Sequence, residues 1–422
     1  MMKEILLYIP FLIVLLSLSL LPLVAARFWH KYMACYLLVI TCISVVCDLI
    51  FLDVDQFKHL IHHALLHEYI PFICTISSLY IISCNININI QMSDTTRNNS
   101  ILLFIGGCLS SIIGTTGASM LLAKPFIKIN ENRGNIAYMM VFFIVIVSNI
   151  GGLLTPLGDP PLFVGYLNGV SFFWVTKNLF LTWLLYIVFI LFIFCVYDKI
   201  YIAKHNYIHR NTQTSIAISG SHNFFLLAVI IVSIFVKNQV VKNVIVLASG
   251  LTSILTATFI NKSNGNLSNK IEYGPIKEVI LAFLAIFITI APVMLLLYDN
   301  QEYISSIVRS ISRYVSLPNI YYWMCGLVSS VLDNAPSYLL FFNIAGDAES
   351  LMMSKHILVA ISSGAVVMGS LTYIGNAPNM LVKSIAQSMG VKMHGFFSYI
   401  FIACAIVIPS AFFINYIINT CT

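Results

Sequence analysis

Charge is scarce in this chain. Of its 422 residues, 9% are charged and 59% are hydrophobic, where a soluble domain carries about 25% charged residues. That deficit excludes an ordinary soluble fold. The few charges cluster and leave repeated apolar runs of membrane-spanning length, with a mean hydropathy of +0.93. No two of the ten cysteines form a C-x-x-C pair, which excludes the spacing of a zinc site and of a disulfide framework. There is no Walker A sequence, so nothing supports ATP-driven pumping. The net charge of +6 is spread over many loops. It reads as the basicity that orients a membrane protein, not as a nucleic-acid surface. The length leaves little room for a separate soluble domain.

What the sequence does have is one unusual phrase, written twice. Gly152-Leu153-Leu154-Thr155-Pro156-Leu157-Gly158-Asp159-Pro160-Pro161 sits in one apolar stretch and Gly369-Ser370-Leu371-Thr372-Tyr373-Ile374-Gly375-Asn376-Ala377-Pro378 in another. The shared pattern is G-x-L-T-x-[LI]-G-[DN]-x-P. Glycine and proline at this density interrupt an α-helix. At membrane depth such backbone is tolerated only where it is buried in protein or lines a cavity. Two interruptions in corresponding halves point to a secondary transporter and to its binding site.

The expected fold is an all-α polytopic membrane protein of about ten transmembrane helices plus two re-entrant hairpins. Crossings are expected near 5–26, 34–52, 69–90, 136–168 (interrupted), 175–197, 222–236, 240–260, 278–298, 354–388 (interrupted) and 395–418. The apolar run Ile5–Ala26 exceeds the roughly 7–15 residues of a signal-peptide core and reads as the first of them. Segments 100–128 and 318–346 each hold two short apolar runs around a small, polar tip, Gly114–Ser119 and Leu332–Ser337. These are the hairpins. Each half then carries a hairpin followed by a broken helix. An odd number of crossings separates the halves, which predicts inverted-topology repeats. The expected division is 1–99 N-terminal scaffold helices, 100–168 first repeat core, 169–317 linking scaffold helices, 318–390 second repeat core and 391–422 a C-terminal helix.

Loop charges orient this layout. Lys128/Arg133, Lys199/Lys204/Arg210 and Lys262/Lys270/Lys277 fall in alternate loops, which the positive-inside rule makes cytoplasmic. The Asp347/Glu349 loop is then outside, with Lys237 and Lys242 as mild exceptions. Arg309 and Arg313 suggest an interfacial helix before the second hairpin. Basic cytoplasmic loops and no targeting signal suggest a multi-pass protein of a bacterial inner membrane.

The motifs resemble the ion transporter superfamily, which includes NhaD-type sodium/proton antiporters, arsenite permeases and sodium-coupled di- and tricarboxylate transporters. The nearest likeness is to the NhaD type. It rests on Gly114–Ser119, Ser148-Asn149-Ile150-Gly151-Gly152 with Thr155–Pro161, Asp333-Asn334-Ala335-Pro336 and Asn376-Ala377-Pro378-Asn379, and covers the chain from about Glu68 onward. The resemblance implies a scaffold domain, a transport domain holding both hairpins and both broken helices, a homodimer, and elevator-like displacement. In the superfamily's carboxylate transporters the hairpin tips carry Ser-Asn-Thr. Here they read Thr116-Gly117-Ala118 and Asp333-Asn334-Ala335, a departure that weighs against a carboxylate cargo.

A broken helix frees carbonyls at the end of its first half and N–H groups at the start of its second. Carbonyl and hydroxyl oxygens are hard ligands that suit a desolvated Na+. Candidate ligands are Thr116, Gly117, Ser119, Ser148, Asn149, Thr155, Gly158, Asn334, Thr372, Gly375, Asn376 and Asn379. Asp159 and Asp333 are the two acids at the breaks and the candidate Na+ ligands. Intramembrane carboxylates are costly and functional by default, and one that can hold either H+ or Na+ supports exchange. The competing reading is an N-cap: Asp or Asn just before proline is what a helix start uses, and Thr155 and Thr372 could equally stabilise the break by bonding backbone. The histidines 59, 62, 63 and 67, at helical spacing beside Glu68, offer a metal site or a pH sensor, but no carboxylate or Cys completes a tight ligand spacing, so they read as a solvated amphipathic turn in an outer loop. Asp48 reads as interfacial, Lys277–Glu278 as an interfacial pair, and Phe172-Phe173-Trp174 as an interface anchor.

The function expected is a Na+/H+ antiporter, not an enzyme, with no cofactor beyond Na+ and H+ as transported ions and no nucleic-acid partner. Sodium-coupled citrate or dicarboxylate uptake is the alternative, with arsenite export behind it. A channel or sensor that has kept the fold is a reading from another class. Retention of both hairpins and both breaks argues against that last one.

Overall fold

The structure, a computed structural model, describes residues 2–205, 207, 213–236, 238–263, 273–299, 310, 312 and 315–421. Arg210, Lys237, Lys270, Arg309 and Arg313, used above for orientation, lie outside the described residues.

The chain is helical almost throughout, because its long apolar runs can satisfy backbone polar groups within lipid only by helix formation. Among the described residues seven helices are long and apolar enough to cross a membrane: Lys31–Phe51, Val54–Cys84, Ala137–Leu154, Phe172–His205, Gln239–Phe259, Ile276–Val293 and Phe396–Ile418. Three shorter apolar helices, Leu6–Leu18, His222–Ser233 and Lys355–Leu371, fall on the remaining expected crossings. Burial sorts these helices. In Ala137–Leu154, 94% of the apolar window is buried, against 28% in Lys31–Phe51 and in Gln239–Phe259. The broken helix is therefore the centre, and the other two turn most of their side chains outward, as lipid contact requires. The chain is a multi-pass membrane protein.

Both hairpins and both breaks form where glycine and proline place them. The first hairpin is Thr96–Ile113 and Thr115–Ile129, and the second is Leu317–Val331 and Asn334–Ala345. The first tip is sharper than the sequence suggests. Gly114 alone leaves the helix, at a φ of 84° that favours glycine, and Thr115 already begins the second arm. The first broken helix runs Ala137–Ile146, a 3₁₀ turn Ile150–Leu154, then Pro160–Leu167. The second runs Lys355–Met368, a 3₁₀ turn Gly369–Leu371, then Ala377–Ser388.

Three expectations need correction. The crossing near 69–90 ends at Cys84, and Asn87–Gln91 is a strand, paired antiparallel with Ser215–Ser219 in register Asn87↔Ser219. The alternation Asn-Ile-Asn-Ile across residues 85–90 is the period-2 signal of a strand. The histidine segment is not a loop. Val54–His62 is α-helical and continues without interruption into a π-helix, His63–Tyr69, and then Ile70–Cys84. Asp48 is not interfacial but fully buried, with both carboxylate oxygens lacking a hydrogen-bond partner among the described residues. Lys277 and Glu278 are exposed, and Phe173 is 64% exposed at a helix start.

The base of the first hairpin is closed by a buried ion pair. The Arg133 guanidinium donates to Asp198, and Asp198 also accepts from Thr96 and, at 2.6 Å, from the Tyr138 hydroxyl. Hairpin, broken helix and the long helix Phe172–His205 meet there.

Close helix packing makes a checkable prediction. A Cβ at Gly364 would lie 2.5 Å from the carbonyl oxygen of Tyr322, on the facing hairpin arm. Gly364→Ala should therefore destabilise the protein by about 1–3 kcal/mol, seen as a lower unfolding temperature in detergent. Gly395→Ala, with nothing within 4 Å of the new Cβ, should leave that temperature unchanged.

Candidate functional site

Each letter of the repeated phrase has a structural reason. The first and seventh positions are glycines because the backbone doubles back on itself. A Cβ at Gly158 would collide with the carbonyl oxygen of Gly152 at 2.1 Å, and one at Gly375 with that of Gly369 at 2.6 Å. The fourth position is threonine because its hydroxyl ties the break to the hairpin of its own half. Thr155 donates to the carbonyl of Ser111, and Thr372 donates to that of Ser330 at 2.6 Å. Thr372 also accepts from the N–H groups of Ile374 and Gly375 at 3.2 and 2.9 Å. Both threonine hydroxyls are thus engaged with backbone, as the stabilising reading requires. Proline at the tenth position opens the second half-helix in its first turn.

The eighth position carries the chemistry. Asp159 and Asn376 occupy N-cap positions, yet neither side chain caps its helix. Both point to a common centre, where Asn376 Nδ2 donates to Asp159 Oδ1 at 3.3 Å. The same oxygen accepts from the Thr115 hydroxyl at 2.7 Å. Asp159 Oδ2 accepts from the Asn334 amide. One carboxylate therefore gathers donors from the tip of the first hairpin, the tip of the second and the second break. Asp333 behaves otherwise: it caps Asn334–Ala345, accepting from the Ala335 N–H at 3.3 Å.

An asparagine lattice surrounds this centre and joins the two breaks. Asn149 donates to Asn379 Oδ1 at 2.7 Å and accepts from Asn376 Nδ2 at 3.1 Å. Asn376 reaches the carbonyl of Ser148 at 3.1 Å. Asn379 donates to the carbonyls of Gly369 and Thr372, both at 2.9 Å, taking up acceptors that the break frees. Ser119 and Ser148 pair at 2.8 Å. All of these side chains are buried.

Of the candidate residues, Asp159, Asn334 and Asn376 thus meet in direct contact. Asn149, Asn379, Ser119 and Ser148 brace them. Thr116, Gly117, Gly158 and Asp333 line a cavity beside Asp159, and the Gly158 carbonyl accepts from the Thr115 N–H at 2.8 Å. Gly375 serves the turn. Thr115 was not among the candidates. Its signal was available, since it is the first residue after the Gly114 break and so faces the centre. Ser111 and Ser330 were likewise missed, because a serine inside an apolar arm carries no mark of what its carbonyl will accept.

The cavity measures about 50 Å³, room for a few water-sized species at about 10–15 Å³ of such space each. Its walls include Thr75, Tyr80, Phe163 and Phe283, and it has no lysine, arginine or histidine among the described residues. One buried acceptor stands unpartnered at the centre: Asn334 Oδ1. No group of three or more His, Cys, Asp or Glu that could hold a metal ion occurs among the described residues. Any cation here relies on amide, hydroxyl and backbone oxygens beside one or two carboxylates.

A family model, CitMHS_2, described as "Putative citrate transport", matches residues 2–419. No curated protein matches the chain.

The asparagine lattice predicts its own failure mode. Asn149→Ala strands the buried Asn379 Oδ1, which accepts from Asn149, and takes one of three acceptors from Asn376; a stranded buried polar group costs about 1–3 kcal/mol. The unfolding temperature in detergent should fall, and by more than for Ser388→Ala, whose hydroxyl bonds only the Ile385 carbonyl of its own helix.

Proposed function

The chain belongs to the citrate-transport family whose model spans residues 2–419, and from that premise we propose that this membrane transporter is a secondary carrier that exchanges Na+ for H+ at Asp159. The observation that carries the reading is a buried carboxylate fed by three neutral donors and, among the described residues, by no cationic side chain. An ionised carboxylate in a low-dielectric site needs a compensating positive charge. With no Lys or Arg at hand, that charge is a proton or a small metal cation. Asn334 Oδ1 supplies a further oxygen beside it. If the occupied forms translocate and the empty, charged form does not, exchange follows.

Both hairpins and both breaks would move together as a transport domain, against a scaffold drawn from 1–99 and 169–317. The strand pairing of Asn87–Gln91 with Ser215–Ser219 and the Arg133–Asp198 pair support placing residues 85–95, 129–135, 198–205 and 213–220 on one face. By the positive-inside rule that face is cytoplasmic. The base of the first hairpin then opens inward and that of the second outward, as inverted repeats require. A homodimer with elevator-like displacement in a bacterial inner membrane completes the proposal.

Sodium-coupled citrate uptake is the second reading. The family description favours it, and two half-helix N-termini, at Pro160 and Ala377, meet the cavity, where they favour an anion. Two features weigh against it: no basic side chain lines the cavity, and about 50 Å³ is far below the roughly 300–1,000 Å³ of small-molecule sites.

Proteoliposomes holding purified protein and a pH-sensitive dye separate the readings. Under an imposed ΔpH, NaCl alone should drive proton movement, and Asp159→Asn should reduce it to the level of protein-free vesicles. Asp333→Asn preserves an N-cap, so it should keep transport while weakening apparent Na+ affinity. Silence with NaCl, together with Na+-dependent uptake of labelled citrate, would transfer the assignment to the second reading.

A further inference from the structure

A second polar cavity, of about 350 Å³, lies away from Asp159 and is lined by His59, His63, Glu68, Asn168 and Asn343 together with apolar side chains. It is built on the π-helix His63–Tyr69. The π-turn decides which side chains meet. In an α-helix, residues five apart point about 140° from each other; in a π-helix the i→i+5 bond brings them onto one face. Thus His63 Nδ1 lies 3.8 Å from Glu68 Oε1, and the rings of His62 and His67 are 5.6 Å apart. His63 is open to solvent, its side chain 55% exposed, while Glu68 forms the inner wall at 13%. π-Turns within α-helices recur at functional sites.

Glu68 also faces another element across the cavity. Asn168 lines the same cavity, where its amide donates to the Val164 carbonyl at 3.0 Å. Asn168 ends the half-helix Pro160–Leu167, and Asp159 begins it. Eight residues, about 12 Å of helix, thus carry the central carboxylate at one end and a wall of this cavity at the other.

We propose that this cavity is a second proton-binding site, in which His63 and Glu68 share one proton taken from the outer solution, and that its charge state acts on the half-helix Pro160–Leu167 through the cavity wall at Asn168. When the proton sits on His63, the imidazolium pairs with the Glu68 carboxylate; when it sits on Glu68, both groups are neutral. The other titratable groups facing the pair are His59, stacked on His63 at 6.4 Å, and His67 at 5.5 Å, with His62 beside His67. Helix Tyr273–Asp299 contributes Ile290, Ala291 and Leu295, and the second hairpin contributes Leu339 and Asn343. None of these titrates. The outward placement rests on the orientation proposed above; the proton site itself does not.

Infrared difference spectroscopy on the full-length protein in detergent, stepped between acid and alkaline pH, reads the site without transport. The wild type should show a protonated-carboxyl band that Glu68→Gln removes. His63→Gln, at an exposed position, should move the midpoint of that band by about one unit or more, the coupling that marks a shared titration. His62→Gln, which pairs with His67, should leave it in place. Asn168→Ala should keep the band yet flatten the dependence of transport on outer pH in proteoliposomes. A spectrum unchanged in Glu68→Gln, or a midpoint unmoved in His63→Gln, overturns the proposal. Because the band is read with no gradient and no cargo, failure of Na+/H+ exchange at Asp159 would leave this result standing, and the reverse holds as well.

Discussion

A buried carboxylate in a membrane protein, with no cationic side chain beside it among the described residues, is the constraint on which the rest of this molecule depends. Asp159 cannot remain charged and empty at low energetic cost. It is nevertheless served by three donors, from Thr115, Asn334 and Asn376, that come from separate elements. Those donors can converge only if both hairpins and both broken helices end at one point. The repeated phrase is the local solution: paired glycines let the backbone fold flat, a threonine fastens it to the neighbouring hairpin, and the eighth residue is left free to face the centre.

The two halves use the phrase differently, and the difference is informative. At the eighth position one half has Asp159 and the other Asn376. The pair is asymmetric in charge but matched in geometry, so one side chain can donate to the other. At the hairpin tips the asymmetry reverses, with a glycine break ahead of Thr115 in the first half and Asp333-Asn334 in the second. Asp333 takes the capping role that the sequence equally allowed for Asp159. Capping holds its carboxylate to backbone N–H groups, whereas Asp159 answers only to side chains. Side-chain partners can be rearranged without unfolding a helix end. That makes Asp159 the better placed of the two for the exchange proposed above.

Much of this was legible in the sequence, for a physical reason. Helix interruption at membrane depth needs Gly and Pro, and those residues cannot be hidden among Leu and Ile, so both hairpins and both breaks stand out. The central acid and its amides follow from the same motifs. What was not legible depends on rotation about helix axes. Whether Thr115 or Thr116 faces Asp159 is settled by a single glycine with a left-handed φ. The π-turn at His63–Tyr69 has no periodicity of its own, so four histidines that looked like a solvated loop lie on a continuous helix, with Glu68 half-buried behind them. The strand at Asn87–Gln91 was legible in its alternation but was masked by the apolar run before it.

The chain also contains its own control for the argument about charge. At Asp198 it buries another carboxylate completely, and there it supplies Arg133 within ion-pairing distance, with Tyr138 and Thr96 filling the remaining acceptor positions. Breaking a buried pair strands a charge and costs several kcal/mol, so such a carboxylate is neutralised for good and fastens three elements together. At Asp159 the same kind of residue, equally buried, has neutral donors alone. The arginine beside Asp198 has no counterpart beside Asp159 among the described residues, which leaves that charge to the mobile partner proposed above. The contrast between the two sites separates a carboxylate that builds the fold from one that can carry an ion.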